Sequence, residues 1–147
     1  MSQSLVSNRV HIIFSTHNRE ALIPTAVQKQ LWSYIVGIGK NHGIPVLGTG
    51  GMEDHVHLLV ALPATITLSK VVQLIKANSS RWMSNQSKGF AWQKGYGAFG
   101  VSTSNFEKTL EYIAKQEVHH KRRDFRQEFL EFLNRNGVNY DPKYVFE

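Results

Sequence analysis

The chain has 147 residues, of which 41% are hydrophobic, and it carries a formal net charge of +6. The absence of cysteine excludes disulfides, thiolate metal sites and a cysteine nucleophile. There is also no apolar run of membrane-spanning length and no signal-peptide pattern, so we expect a cytoplasmic protein without a membrane anchor. This length suits one compact domain over residues 1–147. The positive charge favours a polyanionic partner such as nucleic acid.

The pattern of apolar residues predicts alternating strands and helices along most of the chain. Four stretches are predicted strands, residues 8–15, 44–49, 55–62 and 98–102, and the first and third of them alternate in hydrophobicity. Helical spacing predicts two helices between them, from Thr25 to a stop at Gly43 and from Thr67 to about Asn85. Two further helices should follow the fourth strand, from Ser104 to about His120 and from Asp124 to a stop at Gly137.

This order, β-α-β-β-α-β followed by two helices, predicts an α+β fold. It is the order of the ferredoxin-like (split βαβ) pattern, in which helices lie on one face of an antiparallel sheet. The opposite face of the sheet is therefore expected to be free for function.

Two histidines stand out in the third predicted strand, directly after Gly50–Gly51, which is interpreted as a turn. Side chains alternate along a strand, so His55 and His57 point to the same face, away from the apolar residues between and after them. Two imidazoles side by side can bind a divalent metal, and the alternative is that they only hydrogen-bond to nearby backbone. Because both leave the apolar side, replacing either one is expected to leave the fold intact.

The helix predicted after the fourth strand carries a polar stripe. Residues three and four apart share a helix face, so Tyr112 and Gln116 are neighbours, with His119 and His120 one turn further on. On its own, this stripe is also typical of an ordinary amphipathic helix with a solvated polar face.

In combination these motifs resemble the single-tyrosine HUH transposases of the smallest bacterial insertion sequences. The resemblance includes the relatives of that family, the REP-associated tyrosine transposases. The similarity extends over most of the chain and is carried by residues 10–16, 52–57, 92–99, 111–116, 119–120 and 137–141.

The resemblance implies that His55, His57 and Gln116 bind Mg²⁺ or Mn²⁺ and that Tyr112 is the nucleophile. The C-terminal helices would then carry the catalytic tyrosine, and residues 1–147 would form a single HUH transposase-like catalytic domain. The implied activity is metal-dependent cleavage and transfer of single-stranded DNA (DNA transposition) through a 5′-phosphotyrosine intermediate. A divalent cation can polarise a phosphodiester, and a tyrosine ester conserves bond energy, so that rejoining needs no ATP. No small-molecule cofactor is expected.

Single-stranded or hairpin DNA is the expected partner. Aromatic residues can stack on bases and cations can contact phosphates, which makes the following residues candidates: Trp92, Tyr96, Phe99, Lys76, Arg81, Lys88, Lys94, Lys115, His119, His120, Lys121, Arg122 and Arg123. For the aromatic residues a place in the core is an equal alternative, and for each cation the alternative is a solvated surface position. His119 and His120 could instead assist proton transfer.

Three other functions compete with strand transfer. The chain could be a domesticated, non-catalytic nucleic-acid-binding module, a rolling-circle replication initiator, or a metal-dependent hydrolase that uses water. The joint presence of the four implied site residues argues against the first, and the lack of a helicase segment disfavours the second. The resemblance also implies a homodimer, with a monomer as the alternative. His11, His17 and His42 are expected to have no part in the site.

Overall fold

A four-stranded antiparallel sheet forms the centre of the protein, which we describe from a computed structural model covering residues 3–121 and 123–146. Its strands are β1 (Arg9–Ser15), β2 (Val46–Met52), β3 (His55–Ala61) and β4 (Gly97–Gly100). The order across the sheet is β2-β3-β1-β4. The predicted α+β fold is confirmed, and this strand order is consistent with the ferredoxin-like pattern.

Two helices cover one face of the sheet, α1 (Thr25–Asn41) and α2 (Leu68–Met83). Alternate side chains of β1 and β3, such as Phe14 and Leu58, point to this face and pack against apolar helix residues such as Ile75. These three side chains are fully buried. The larger hydrophobic core of the protein therefore lies on the side of the sheet away from His55 and His57.

The opposite face is not free, contrary to the prediction. It is covered by α3 (Phe106–Ala114), α4 (Gln116–His120) and α5 (Phe125–Arg135). A second apolar cluster fills part of this interface and consists of Ile13, Phe99, Phe125, Phe129 and Leu133. Because strand residues such as Ile13 are apolar on this face too, the sheet gains stability from cover on both sides.

The helix predicted from Ser104 to about His120 is interrupted. Residues 103–105 form a separate turn, and Lys115, with φ −108° and ψ 37°, divides α3 from α4. The side chain of Gln116 nevertheless remains next to the turn before the break, since its Nε2 donates to the Tyr112 carbonyl at 3.0 Å. Tyr112 and Gln116 therefore stay neighbours.

Gly50 and Gly51 lie within β2, and the turn to β3 is formed by residues 53–54. Gly50 is paired with His57 across the two strands. A Cβ on Gly50 would lie 2.1 Å from the carbonyl oxygen of Ile113 in α3. The prediction of a turn at these glycines was wrong because Gly50 serves close packing: it lets α3 lie directly on the sheet beside His57.

Gly50→Ala should therefore destabilise the protein by pushing α3 off the sheet. Overpacking of this kind costs about 1–3 kcal/mol, and we expect a loss of that size in the free energy of unfolding, measured by chemical denaturation. Gly100→Ala is the matched control, because Gly100 lies in the same sheet and, apart from its chain neighbours, no described residue has an atom within 4 Å of the position that a Cβ would take. Equal stability of the two variants would contradict the packing role of Gly50.

Candidate active site

β3 places His55 and His57 side by side beneath the C-terminal helices, with ring centroids 5.1 Å apart. Both side chains are fully buried. His55 Nδ1 lies 2.7 Å from Asp54 Oδ1, and His57 Nδ1 lies 2.8 Å from Nε2 of His11. These contacts leave both Nε2 atoms turned toward the helices. The expectation that His11 has no part in the site is wrong, since this buried imidazole orients His57 directly.

α4 adds two side chains above the histidine pair. Gln116 is buried, and its Oε1 lies 3.2 Å from His55 Nε2 and 3.0 Å from His120 Nε2. Its Nε2 donates to the Tyr112 carbonyl, which explains why the amide oxygen, rather than the nitrogen, faces the imidazoles. His120 thus faces the site, whereas the sequence alone did not show where its side chain lies.

Glu128 of α5 completes the group and was missed by the sequence analysis. Its carboxylate is fully buried. Oε1 lies 2.8 Å from His57 Nε2, 3.3 Å from His120 Nε2 and 3.7 Å from His55 Nε2. One carboxylate therefore contacts three imidazoles at once.

A signal for Glu128 was present in the sequence. The residue lies three positions after Phe125 and directly before Phe129, so that it shares the apolar side of a predicted amphipathic helix. Carboxylates are rarely fully buried unless they are paired. A glutamate at such a position indicates a buried partner, although nothing in the local sequence identifies that partner.

Tyr112 of α3 reaches the same carboxylate from the other side. Its hydroxyl donates to Glu128 Oε2 and accepts a hydrogen bond of 2.6 Å from Arg123 Nη2. The ring centroids of Tyr112 and His57 are 5.8 Å apart, and His119 stacks on Tyr112 at 4.3 Å. The tyrosine and the histidine pair therefore meet within one chain.

Burial sets the protonation states of this group. Burial lowers the pKa of His57 to about 4, although its hydrogen bond with Glu128 opposes the shift, and burial also lowers the pKa of His11. Burial alone would raise the pKa of Glu128, but hydrogen bonds from His120 and His57 hold it below its ordinary range. Burial and the Glu128 charge raise the pKa of Tyr112. At neutral pH, Glu128 is therefore ionised, while Tyr112 is protonated and His11 and His57 are neutral.

These shifts predict a fold that is sensitive to acid. The pKa of His57 is about 4 in the folded protein against 6.5 ordinarily, so the unfolded chain binds the proton first as pH falls. The stability that a neutral His57 contributes is present above pH 6.5 and is lost between about pH 6.5 and 4. The titratable groups that face His57 include His11, His55, His120 and Glu128. The pKa values of His11 and Glu128 are also lowered, so both groups add to the loss of stability in acid.

We expect the free energy of unfolding to fall by about 3 kcal/mol from pH 7 to pH 4. Urea denaturation in chelator-treated buffer at a series of pH values measures this change. His57→Asn should flatten the pH dependence, whereas substitution of the exposed His42 should not. A free energy that stays constant over this range would contradict these protonation states.

The donor atoms of this group suit a divalent metal. His55, His57, His120 and Glu128 each offer one ligand atom, and these atoms all lie within 4.8 Å of one another. Imidazole nitrogen and carboxylate oxygen are common ligands of divalent transition metals. The described residues therefore fit the metal that the sequence resemblance implies.

Two of the residues predicted to contact DNA have structural roles in the fold. Trp92 is buried and its Nε1 donates to Ser79 Oγ at 2.9 Å, so its ring belongs to the core. Lys76 Nζ donates to two backbone carbonyls of the loop after Trp92, at 2.8 and 2.7 Å. Burial lowers the pKa of Lys76 to about 8. Tyr96 is half-buried against the same core. These contacts hold the loop against α2 and place the Trp92 ring in the core.

The remaining predicted cations lie mainly on the surface. Five of them are exposed: Arg81, Lys88, Lys94, Lys115 and Lys121. Lys115 pairs with Glu111 at 2.6 Å, which lowers the pKa of that carboxyl. Arg122 lies outside the described residues. Among these predicted cations, Arg123 differs because it contacts Tyr112.

A cleft of about 340 Å³ opens beside Tyr112. Its lining combines aromatic side chains with cations and amides: His11, Phe99, Tyr112, Phe132, Lys108, Arg135, Asn105 and Asn136. The volume is in the range of sites that hold small ligands. Sequence reasoning did not identify this cleft, because α3, α5 and β4 form it together.

Comparison with known proteins identifies the family. The family of IS200-like transposases matches residues 4–116. A crystal structure of a candidate transposase from Deinococcus radiodurans R1 is similar, with a TM-score of 0.62, 22% identity, and coverage of 77% of this chain and 94% of that chain. A REP-associated tyrosine transposase bound to a REP hairpin is also similar, with a TM-score of 0.57, 16% identity, and coverage of 77% of this chain and 68% of that chain. No curated protein matches significantly. Because the family match spans well over half of the sequence, the chain belongs to the IS200-like transposases, enzymes of DNA transposition.

Proposed function

We propose that the protein cleaves and rejoins single-stranded DNA, with a divalent metal and a 5′-phosphotyrosine intermediate on Tyr112. One observation carries this proposal: the Tyr112 hydroxyl and His57 Nε2 contact the same Glu128 carboxylate. The candidate nucleophile and the candidate metal ligands thus converge on one point within a chain of the transposase family.

The proposed metal ligands are His55, His57 and Gln116, and the proposed metal is Mg²⁺ or Mn²⁺. Two imidazole nitrogens and an amide oxygen form a neutral ligand set. Mg²⁺ prefers oxygen ligands, whereas Mn²⁺ also accepts imidazole, so the donor set favours Mn²⁺. Once bound, the metal would polarise the scissile phosphate and neutralise its developing charge.

The protein's own residues would prepare the nucleophile. The Tyr112 oxygen bonds to phosphorus as its hydroxyl proton passes to water, and the bond from phosphorus to the 3′ oxygen breaks. That oxygen takes a proton from water and leaves as a 3′ hydroxyl, while the phosphate stays on the 5′ oxygen of the other product strand. Arg123 Nη2, at 2.6 Å from the phenol oxygen, stabilises the negative charge that develops on that oxygen. Attack by a 3′ hydroxyl on the tyrosine ester reverses these steps and rejoins the strand.

The cleft beside Tyr112 supports a single strand as the substrate. Phe132 is half-buried in its wall and stacks at 5.5 Å on the buried Phe99, and Lys108 and Arg135 line the cleft as well. Proteins that bind single strands combine aromatic surfaces for bases with cations for phosphates. We therefore propose that Lys108 and Arg135 contact DNA, in addition to the exposed cations of the sequence analysis. A hairpin partner is supported by the similar REP-associated transposase, which binds a REP hairpin.

A covalent-adduct assay tests this function. The protein is incubated with Mn²⁺ and with labelled oligonucleotides covering the sequences that flank its gene, and the products are resolved on a denaturing gel. We expect a protein–DNA adduct with single-stranded or hairpin DNA, and none with plain duplex or excess chelator. Cleavage without an adduct would instead support the water-using hydrolase, and binding without cleavage would support the non-catalytic module.

Several expectations remain predictions. A homodimer is one of them, although the site residues described above all come from one chain. Mixing His57→Ala chains with Tyr112→Phe chains should restore activity only if the two chains share sites. The other two expectations that remain predictions are a single catalytic domain over residues 1–147 and a cytoplasmic location. Within the described part of the chain, no helix has the length and apolar character needed to cross a bilayer.

A further inference from the structure

We propose that His120 and Glu128 are metal ligands in the DNA-free protein, and that Glu128 moves away from both the metal and the Tyr112 hydroxyl when DNA binds. The release step rests on the proposed function, whereas the ligand set can be tested without DNA. Both residues follow residues 4–116, the segment matched by the transposase family, so the family match assigns them no role.

The spacing of the donor atoms supports this larger ligand set. Glu128 Oε1 lies 2.8 Å from His57 Nε2 and 3.3 Å from His120 Nε2. Gln116 Oε1 lies 3.2 Å from His55 Nε2 and 3.0 Å from His120 Nε2. With metal–ligand bonds of about 2.0–2.2 Å, neighbouring donors around one ion lie roughly 3 Å apart. Five donors in the site already have this separation.

The partners behind the imidazoles also fit a metal site. Histidines that bind a metal usually donate their other ring N–H to a carboxylate or another acceptor. Asp54 Oδ1 lies 2.7 Å from His55 Nδ1, and His11 Nε2 lies 2.8 Å from His57 Nδ1. Binding through His57 Nε2 would place the ring proton on Nδ1, where His11 accepts it. This arrangement gives the buried His11 a function.

The ligand types favour a transition metal. Three imidazoles with one carboxylate and one amide oxygen suit Mn²⁺, Co²⁺ or Zn²⁺ better than Mg²⁺, which prefers oxygen and retains waters. The Glu128 carboxylate also supplies the negative charge that the neutral set of His55, His57 and Gln116 lacks.

Glu128 would block the reaction until DNA enters. Five protein donors would leave little room on the ion for a phosphate oxygen, and a buried carboxylate repels a phosphate. The same side chain holds the Tyr112 hydroxyl through Oε2. Rotation of Glu128 away from the cluster would therefore open a metal position and release the nucleophile in one movement. α5 itself can stay in place, because Phe125 and Phe129 anchor it in the second apolar cluster.

Calorimetric titration with Mn²⁺ and with Co²⁺ in the absence of DNA tests the ligand set. Glu128→Gln and His120→Asn should each weaken metal binding by at least roughly tenfold, since loss of even an outer partner costs about 10- to 100-fold. Glu117→Gln is the matched control, because Glu117 is an exposed carboxylate on α4 and should bind metal like the wild type. Circular dichroism verifies that each variant is folded, and Glu128→Asp replaces Glu128→Gln if the latter does not fold.

The absorption spectrum of bound Co²⁺ tests the release step. Adding the single-stranded oligonucleotide of the adduct assay should change the wild-type spectrum, and should change that of Glu128→Gln much less. Wild-type metal affinity in both variants would overturn the ligand set, and equal spectral changes in wild type and Glu128→Gln would overturn the release. If the wild type forms the adduct and both variants bind metal like the wild type, this inference is overturned and the proposed function stands. Metal binding that depends on Glu128, without any adduct, would overturn the proposed function and the release step.

Discussion

Tyr112→Phe should remove the covalent protein–DNA adduct and reduce strand cleavage to the uncatalysed level. Phenylalanine keeps the ring contacts with His119 and His57 but lacks the oxygen that would attack phosphorus. Because the hydroxyl has two partners, Glu128 and Arg123, its loss should also cost about 1–3 kcal/mol in the free energy of unfolding. A denaturing gel measures the adduct, and chemical denaturation measures the stability.

Two controls separate loss of the nucleophile from loss of the fold. Metal binding by Tyr112→Phe should remain, since none of the proposed ligand atoms belongs to Tyr112. Tyr34→Phe is the matched substitution, because Tyr34 is 39% exposed and stacks on Trp82 on the α1–α2 side of the sheet. Cleavage by Tyr112→Phe at the wild-type rate would refute its role and revive the water-using hydrolase.

His57→Ala should abolish metal binding and cleavage and should also destabilise the fold. The fold is still expected to survive, but with reduced stability. His57 is fully buried and bridges two other buried groups, His11 and Glu128. Removing it leaves both without this partner, and each unsatisfied buried group costs about 1–3 kcal/mol. We therefore expect a loss of about 3 kcal/mol in the free energy of unfolding.

Calorimetry with Mn²⁺ and chemical denaturation measure the two effects of His57→Ala separately. His17→Ala is the control, because His17 is exposed and should change neither quantity. Wild-type metal affinity in a folded His57→Ala protein would exclude His57 as a ligand.

Local periodicity was sufficient to predict the parts of the site that are close together in the sequence. Strand geometry alone requires His55 and His57 to share a face. Helical spacing placed Gln116 beside Tyr112, and this neighbourhood is retained in spite of the break at Lys115 because the Gln116 side chain bonds back to the Tyr112 carbonyl.

The predictions that failed or were missed concern contacts between elements that are distant in the sequence. Glu128 meets His57 only because α5 folds over the sheet, and no spacing rule connects two residues 71 positions apart. The close approach of α3 to Gly50 likewise appears only in the folded protein, so the glycine was interpreted as a turn. Trp92 fits both a core position and a base-stacking position, and its bond to Ser79 decides for the core.

Mass spectrometry of the trapped protein–DNA complex tests the central claim most directly. Protease digestion of the adduct should yield one modified peptide, containing Tyr112, with the DNA attached through its 5′ phosphate. The other tyrosines are Tyr34, Tyr96, Tyr140 and Tyr144. DNA on any of these residues, or attachment through a 3′ phosphate, would contradict the assignment of Tyr112 as the nucleophile.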